Sequence, residues 1–244
     1  MTAGAARLIG VGVGPGDPEL ITLKAVRALA AADVVAHFAK AGHASHARTI
    51  AASHLPAGVA ELPFPYPVTT EIPKDAPAYC GRIEAFYDGC AATIASHLDA
   101  QRSVAVLCEG DPLFYGSYMH LHVRLAARYP TEVIAGITGM SGCWSAVGAP
   151  AAQGDDVFTV LPGTLPEAEL VRRLADADAA VVMKLGRNLP KVRRALDRAG
   201  RLGRAIYVER GTMAGGAAMP LADKPDDTAP YFAMVLVPGF GGRQ

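Results

Sequence analysis

The sequence carries no net charge and few cysteines. Its 23 lysines and arginines balance its 23 aspartates and glutamates, which removes any global attraction to nucleic acids or anionic membranes. The four cysteines contain no CxxC pair and match no zinc-binding spacing. We therefore expect reduced thiols, a cytoplasmic location and no nucleic-acid partner.

Long apolar runs and metal-ligand clusters are also missing. No stretch approaches the ~20 apolar residues that a membrane-spanning helix needs, and the opening MTAGAARLIGVGVG lacks the apolar segment of a signal peptide. The seven histidines lie between His37 and His122, without a carboxylate or cysteine that completes a recognisable ligand spacing. We expect no membrane partner and no metal.

Strand-like and helix-like segments alternate along the chain. The opening has a βαβ pattern, with a strand over 7–13, a helix over 19–32 and a strand over 33–38. Residues 61–77 contain five prolines, and the stretch YPVTTEIPKD within them is predicted to be a structured loop. The whole pattern predicts two α/β domains, residues 1–125 and 126–244. Further strands are expected at 103–108, 132–137, 157–161, 179–183, 204–208 and 231–237, and further helices at 46–54, 78–99, 118–128, 141–147 and 189–199.

Two Gly-Asp-Pro sequences follow predicted strands, in GVGPGDPELITLKA and in EGDPLFYGS. The dinucleotide fingerprint GxGxxG fails, because its third glycine would fall on Pro15 or Asp17, and no phosphate-binding GK[ST] is present. The carboxyl ends of such strands bind ligands in open α/β sheets, so the two loops are expected to form two sides of one crevice. The alternative is a pair of tight turns that bind nothing.

Five peptides occur in a characteristic order: GVGPGDPELITLKA, EGDPLFYGS, GITGMSG, VVMKLG and YVERGT. This series resembles the tetrapyrrole (corrin/porphyrin) methyltransferase family over nearly the whole chain. Within that family, YPVTTEIPKD is most similar to members that methylate a cobalamin precursor. The resemblance implies two α/β domains with a cleft between them, a homodimer, and S-adenosylmethionine bound in that cleft, with S-adenosylhomocysteine as the product.

The resemblance also implies cofactor contacts, carried over position by position. One departure from the family pattern precedes Thr138, where this chain has Ala135-Gly136-Ile137 and many members have Pro-Gly-Ile. The expected cofactor-binding residues are Pro15, Glu109, Gly110, Asp111, Phe114, Thr138, Gly139, Met183 and Gly211.

A tetrapyrrole substrate carries many carboxylates, so cationic partners are expected. Lys184, Arg187 and Arg210 follow predicted strands and are the substrate-binding candidates. Lys191, Arg193 and Arg194 lie on a basic helix, for which a solvated face is the favoured interpretation. In the proline-rich loop, Thr69 and Thr70 are expected to form part of a substrate lid.

Methyl transfer to carbon needs no protein nucleophile, but the methylated carbon must then lose a proton, for which a general base is useful. Tyr66, Glu71, Asp75 and Glu209 are possible bases, and the first two and the last are the predicted catalytic residues. The alternatives within the family are a cobalt-containing substrate, another position of the ring, or uroporphyrinogen III. A non-catalytic tetrapyrrole carrier is a more distant alternative.

Overall fold

The structure is a computed structural model that describes residues 5–68 and 77–239. It divides the chain into two compact units, one ending at Thr138 and the other beginning at Gly139. The first unit contains β1 (Leu8–Gly12), α1 (Leu23–Ala31), β2 (Val34–Lys40), α2 (His46–Ala51), β3 (Ala60–Tyr66), α3 (Pro77–Asp99), β4 (Val104–Cys108), α4 (Tyr118–Leu125) and β5 (Thr131–Ile134).

The first unit is built on a parallel sheet with strand order β3-β2-β4-β1-β5. Both β1 and β4 are buried along their whole length, as expected for a parallel sheet covered on both faces. Alternate residues serve opposite faces: Leu8 and Val104 pack with α3 and α4, whereas Ile9 and Ala105 pack with α1 and α2. The α/β fold class is thereby confirmed.

The second unit contains α5 (Gly139–Val147), β6 (Phe158–Pro162), α6 (Glu167–Asp176), β7 (Ala179–Met183), α7 (Leu189–Arg198), β8 (Ile206–Glu209), β9 (Ala217–Pro220) and β10 (Ala233–Val237). Its mixed sheet has the order β6-β7-β10-β8-β9, in which only β6 and β7 are parallel neighbours. Val182 and Val235 face the core beneath α6 and α7, and Val181 and Leu236 face Trp144 of α5.

The unit boundary lies further along the chain than the predicted break after residue 125. The reason is β5, which pairs with β1 from Leu8↔Thr131 to Val11↔Ile134 and so completes the first sheet. The predicted boundary was placed at the end of a helix, where the local pattern offers no sign of this pairing. Residues 126–138 therefore belong to the first unit.

The proline-rich region opens with a strand that the sequence pattern did not predict. Residues 60–66 form β3, in which Pro63 pairs with His37 and Pro65 with Ala39. Proline lacks a backbone N–H and is tolerated at the edge of a sheet, which is where β3 lies. The following Thr69, Thr70, Glu71 and the rest of the predicted lid lie outside the described residues.

The first predicted helix also begins later than residue 19. Asp17 accepts a hydrogen bond from the backbone of Glu19 (2.9 Å) and starts a single 3₁₀ turn, Pro18–Leu20. The helix α1 starts only after Thr22, whose hydroxyl accepts from Ala25 N–H (3.1 Å). Among the described residues, no helix combines the length and apolar character needed to cross a bilayer.

Candidate functional site

The two Gly-Asp-Pro loops lie against each other in the first unit. Their strands, β1 and β4, are parallel neighbours, so both loops begin at the carboxyl-terminal end of the sheet. Val13 N–H donates to Cys108 O (3.0 Å), and Gly110 N–H donates to Gly14 O (2.8 Å). The two loops are therefore in direct backbone contact, which is the adjacency that the predicted crevice requires.

A third loop, residues 135–138 after β5, joins them through glycine contacts. A Cβ on Gly12 would lie 2.5 Å from Gly136 N and 2.7 Å from Gly110 O. A Cβ on Gly136 would overlap Gly110 O and lie 2.8 Å from Gly12 Cα. Three backbones therefore meet at a point that has no room for side chains; we call Gly12, Gly110 and Gly136 the glycine junction.

Asp111 ties this junction together. One carboxylate oxygen, Oδ1, accepts from Leu113 N–H (2.8 Å), and the other, Oδ2, accepts from Gly136 N–H (3.1 Å). Within the part of the chain that the structure describes, the side chain of the equivalent aspartate of the first loop, Asp17, accepts a hydrogen bond only from the Glu19 N–H. Both oxygens of Asp111 thus bond protein backbone, which makes it a residue that positions the loop after β4.

Glu109 stands at the end of β4, beside the junction. Ala47 N–H, at the start of α2, donates to its Oε1 (3.1 Å). The residue is exposed to solvent, yet protein atoms crowd its carboxyl, and this desolvation raises the pKa of Glu109 above its ordinary value. The residue is therefore accessible to a ligand. Its carboxyl group also binds a proton more readily than the carboxyl of a fully solvated glutamate does.

Tyr66 is the last residue of β3, at the same carboxyl-terminal end of the sheet, and is fixed by ring contacts and a hydrogen bond. Its ring stacks on Phe38 (5.5 Å between centroids) and contacts Phe86 (5.3 Å). Its hydroxyl is hydrogen-bonded to Ser117 Oγ, and the Tyr87 hydroxyl belongs to the same hydrogen-bonded group. Burial raises the pKa of the Tyr66 hydroxyl, so the phenol stays protonated at neutral pH.

Ser117 and Tyr87 are site residues that the sequence reasoning missed. Ser117 is the last residue of EGDPLFYGS and precedes α4, yet its hydroxyl makes no capping bond to that helix. It turns to Tyr66 instead. The position of Ser117 inside the EGDPLFYGS motif could have indicated a role in the site. Tyr87 has no such indication, because it lies on the apolar face of the predicted helix over residues 78–99.

In the second unit, two of the three predicted cations, Lys184 and Arg210, have left-handed backbone conformations. Among the four described non-glycine residues with positive φ, three lie in the family motifs: Tyr115 (58°), Lys184 (59°) and Arg210 (49°). This left-handed conformation is costly for such residues and is concentrated at functional sites. Lys184, Arg187 and Arg210 are exposed.

Met183 and Gly211 are placed by backbone contacts. Gly163 N–H donates to Met183 O (2.7 Å). A Cβ on Gly211 would lie 2.9 Å from Cys143 Sγ and 3.0 Å from Cys143 Cα, so the loop after β8 packs directly on α5. Of the remaining predicted cofactor residues, Pro15, Phe114, Thr138 and Gly139 are all half-buried.

Glu209 is occupied by neighbouring groups. Tyr207 donates from its hydroxyl to Glu209 Oε2 (2.7 Å), and an Arg210 guanidinium nitrogen lies 3.5 Å from Oε1. These contacts favour a structural role over that of the predicted base. Among the described residues, no group of three or more histidine, cysteine, aspartate or glutamate side chains could hold a metal ion.

The basic helix α7 is explained by contacts within the second unit. Arg194 and Arg198 pair with Glu167 of α6. Arg193 donates to the carbonyls of Leu221 (2.7 Å), Lys224 (3.1 Å) and Asp226 (3.2 Å), and to the Asp227 carboxylate. For Arg193 the favoured interpretation as a solvated residue is wrong, because the side chain fastens the segment after β9.

Replacing Arg193 with alanine is expected to destabilise the protein by about 2 kcal/mol, because several carbonyls lose a charged donor. Urea unfolding measures this change. The matched control is Arg194→Ala on the same helix, whose solvent-screened pair with Glu167 is expected to contribute far less to stability. Equal effects of the two substitutions would contradict the role given to Arg193.

Comparison with known proteins agrees with this arrangement. A family model described as Tetrapyrrole (Corrin/Porphyrin) Methylases matches residues 7–219. A precorrin-2 C(20)-methyltransferase of Sinorhizobium sp is 64% identical over 98% of both chains. A cobalt-precorrin-2 C(20)-methyltransferase of Salmonella typhimurium is 25% identical over 95% of both. The chain is also 53% identical, over 95% of its length, to 46% of a longer cobalamin biosynthesis protein of Mycobacterium tuberculosis.

Solved structures share the fold. A cobalt precorrin-4 methyltransferase superposes with a TM-score of 0.73 at 21% identity, over 98% of this chain and 97% of that one. A uroporphyrin-III C-methyltransferase of Thermus thermophilus, crystallised with S-adenosylhomocysteine, superposes with a TM-score of 0.65 at 23% identity, over 96% of this chain and 97% of that one.

Proposed function

The chain belongs to the tetrapyrrole (corrin/porphyrin) methylase family, and we propose that it methylates carbon 20 of precorrin-2 in cobalamin biosynthesis, giving precorrin-3A. The methyl donor in this proposal is S-adenosylmethionine. The observation that carries the proposal is the 64% identity to a precorrin-2 C(20)-methyltransferase across nearly the full length of both proteins. A carrier without catalytic activity would have no need for two loops joined at a glycine junction.

The loops at the sheet edge suit a cationic cofactor. Residues 12–19, 109–117 and 135–142 contain no lysine or arginine, whereas the first two segments contain four carboxylates. A dinucleotide or other phosphate ligand is normally held by cations or by a helix N-terminus, so it fits these loops poorly. A sulfonium and ammonium group fits them well, and the glycines let a ligand approach the backbone closely.

When bound, the cofactor supplies an electrophilic methyl group on its sulfonium sulfur. The chain has to hold the accepting carbon in line with that methyl group and exclude water. We assign the holding of the cofactor to Gly110 and Asp111, with Asp111 acting through the loop backbone it fastens. Pro15 and Phe114 border the loops, and Thr138, Gly139, Met183 and Gly211 remain proposed contacts.

Substrate recognition is assigned to cations and hydroxyls. The exposed Lys184, Arg187 and Arg210 are suited to the carboxylates of a tetrapyrrole, since arginine binds a carboxylate through two parallel hydrogen bonds. Thr69 and Thr70 remain proposed substrate contacts. We further propose that the enzyme acts in the cytoplasm as a homodimer, and light scattering coupled to gel filtration measures its mass.

The metal-free substrate is favoured over its cobalt-containing analogue. The relative that is 64% identical has a name that specifies precorrin-2, and the relative whose name specifies cobalt is 25% identical. The two alignments cover 98% and 95% of this chain, so the difference in sequence identity is not confined to one segment. Activity with precorrin-2 is therefore expected to exceed activity with its cobalt complex.

Two measurements test the proposal. Calorimetry is expected to give micromolar affinity for S-adenosylhomocysteine, and nicotinamide dinucleotides are expected not to bind. The protein is then incubated with precorrin-2, with and without cobalt, and with S-adenosylmethionine carrying a ¹³C-methyl group. NMR is expected to place the label on carbon 20. A label on another carbon would overturn the position and leave the methyltransferase class intact, whereas no transfer and no binding would overturn both.

A further inference from the structure

On the proposed function, the reaction needs a proton acceptor, and the two predicted candidates that the structure describes, Tyr66 and Glu209, are poorly suited to that role. Methylation forms a C–C bond from the electron pair at carbon 20 while the S–C bond of the donor breaks. The C–H bond at carbon 20 must then break, returning its electron pair to the ring. Glu71 lies outside the described residues, the carboxylate of Glu209 is held by Tyr207 and Arg210, and the Tyr66 phenol stays protonated.

We propose that Glu109 is the catalytic base, and that its carboxylate receives this proton on Oε2. The residue is exposed at the carboxyl end of β4, beside the glycine junction and beside Tyr66. Ala47 N–H donates to Oε1, and the backbone N–H of Glu109 itself also bonds the carboxyl group. In the described part of the chain no other residue donates to Oε2, so backbone groups orient the carboxyl group without a side-chain partner.

The surroundings of Glu109 suit a proton acceptor. Among the described residues, the ionisable groups that interact with it are His46 of α2, Tyr66 of β3 and Cys108 of its own strand. None of these is a lysine or arginine that would hold the carboxylate as a permanent ion pair. Desolvation raises the pKa of Glu109, which brings it closer to neutral pH and makes the carboxylate a stronger base.

The neighbouring hydroxyl group has a complementary role. Tyr66 is fixed by Phe38 and Ser117 and stays protonated, so it can donate a hydrogen bond but cannot take a proton from carbon. After the reaction, Glu109 returns its proton to solvent, to which it is exposed. This assigns Tyr66 to positioning and Glu109 to proton transfer.

The test is Glu109→Gln, which keeps the shape and removes the base. We expect kcat to fall by about 10²- to 10⁴-fold, the usual contribution of general acid–base catalysis, with unchanged affinity for S-adenosylhomocysteine. With precorrin-2 deuterated at carbon 20, the isotope effect on kcat is expected to rise in the variant, because C–H cleavage becomes rate-limiting. In the wild type, kcat falls as the pH drops through the raised pKa, and this acidic limb disappears in the variant.

Glu109→Asp and Glu132→Gln complete the experiment. The aspartate retains a carboxylate and is expected to keep the acidic limb at reduced kcat, which preserves the test if the glutamine variant misfolds. Glu132 lies on β5 of the same sheet, pairs with Arg7 and Lys24, and its replacement is expected to leave kcat unchanged.

The two proposals fail in distinguishable ways. Weaker binding of S-adenosylhomocysteine by Glu109→Gln, with kcat recovered at saturating cofactor, would make Glu109 a cofactor ligand and overturn the base assignment. An unchanged kcat and pH profile would overturn it as well. A wild-type protein that does not methylate precorrin-2 would instead overturn the proposed function.

Discussion

Alanine at position 136 is expected to abolish binding of S-adenosylhomocysteine and to destabilise the protein by about 3 kcal/mol, the upper range for overpacking. The added Cβ would overlap Gly110 O and lie 2.8 Å from Gly12 Cα and 2.9 Å from its carbonyl carbon. All of these are backbone atoms in buried neighbouring strands or their loops, so none can rotate away. The loops after β1, β4 and β5 have to separate. Urea unfolding and calorimetry measure the two effects.

Gly89→Ala is the matched control for this substitution. Gly89 lies in α3, and a Cβ there would meet no atom within 4 Å. Alanine in a helix interior is more stable than glycine by roughly 0.5–1 kcal/mol, so this variant is expected to gain stability and to bind the cofactor normally. A folded Gly136→Ala protein with normal affinity would show that the glycine junction tolerates a side chain and does not shape the cofactor loop.

Replacing Asp111 with asparagine is expected to destabilise the protein by about 2 kcal/mol. The two side chains have the same shape, but asparagine replaces one acceptor oxygen with an NH₂ donor. Asp111 accepts one backbone N–H on each oxygen. Asparagine has one acceptor oxygen, and its NH₂ group would face the second N–H. The loop after β4 then loses either its internal hydrogen bond from Leu113 N–H or the bond from Gly136 N–H that joins it to the loop after β5. We expect the affinity for S-adenosylhomocysteine to fall about tenfold, equivalent to 1.4 kcal/mol.

The other Gly-Asp-Pro loop supplies the control. Asp17 accepts a single N–H, from Glu19, and asparagine retains one acceptor for it. Since aspartate and asparagine are nearly equivalent in such a capping position, Asp17→Asn is expected to change stability by less than about 0.5 kcal/mol. Similar losses in the two variants would indicate a general effect of removing charge and would contradict the bridging role of Asp111.

These two predictions concern the same physical feature. The glycine junction brings three chain segments into backbone contact, and Asp111 bonds two of them. Ala135, where many family members have proline, directly precedes Gly136, which makes these contacts. The local departure from the family pattern leaves the junction intact.

Much of the fold could be predicted because it depends on local patterns. The fully apolar segments over residues 8–12 and 104–108 are buried strands, as the sequence indicates. The edge strand β3 was missed, because prolines at positions 63 and 65 argue against a strand unless its place at the sheet edge is known. Strand β9, over Ala217–Pro220, has no apolar periodicity and was likewise not predicted.

The sequence by itself determined the α/β class, the meeting of the two Gly-Asp-Pro loops and the family, because strand periodicity, turn chemistry and motif order are local properties. Only the tertiary structure decided the roles of individual side chains. Asp111 bonds a backbone group 25 residues away, and Glu109 is held by one 62 residues away. Such pairings arise when strands distant in sequence become neighbours in a sheet. For that reason a carboxylate predicted to hold the cofactor emerges as the proposed base, while Glu209 is already occupied by Tyr207 and Arg210.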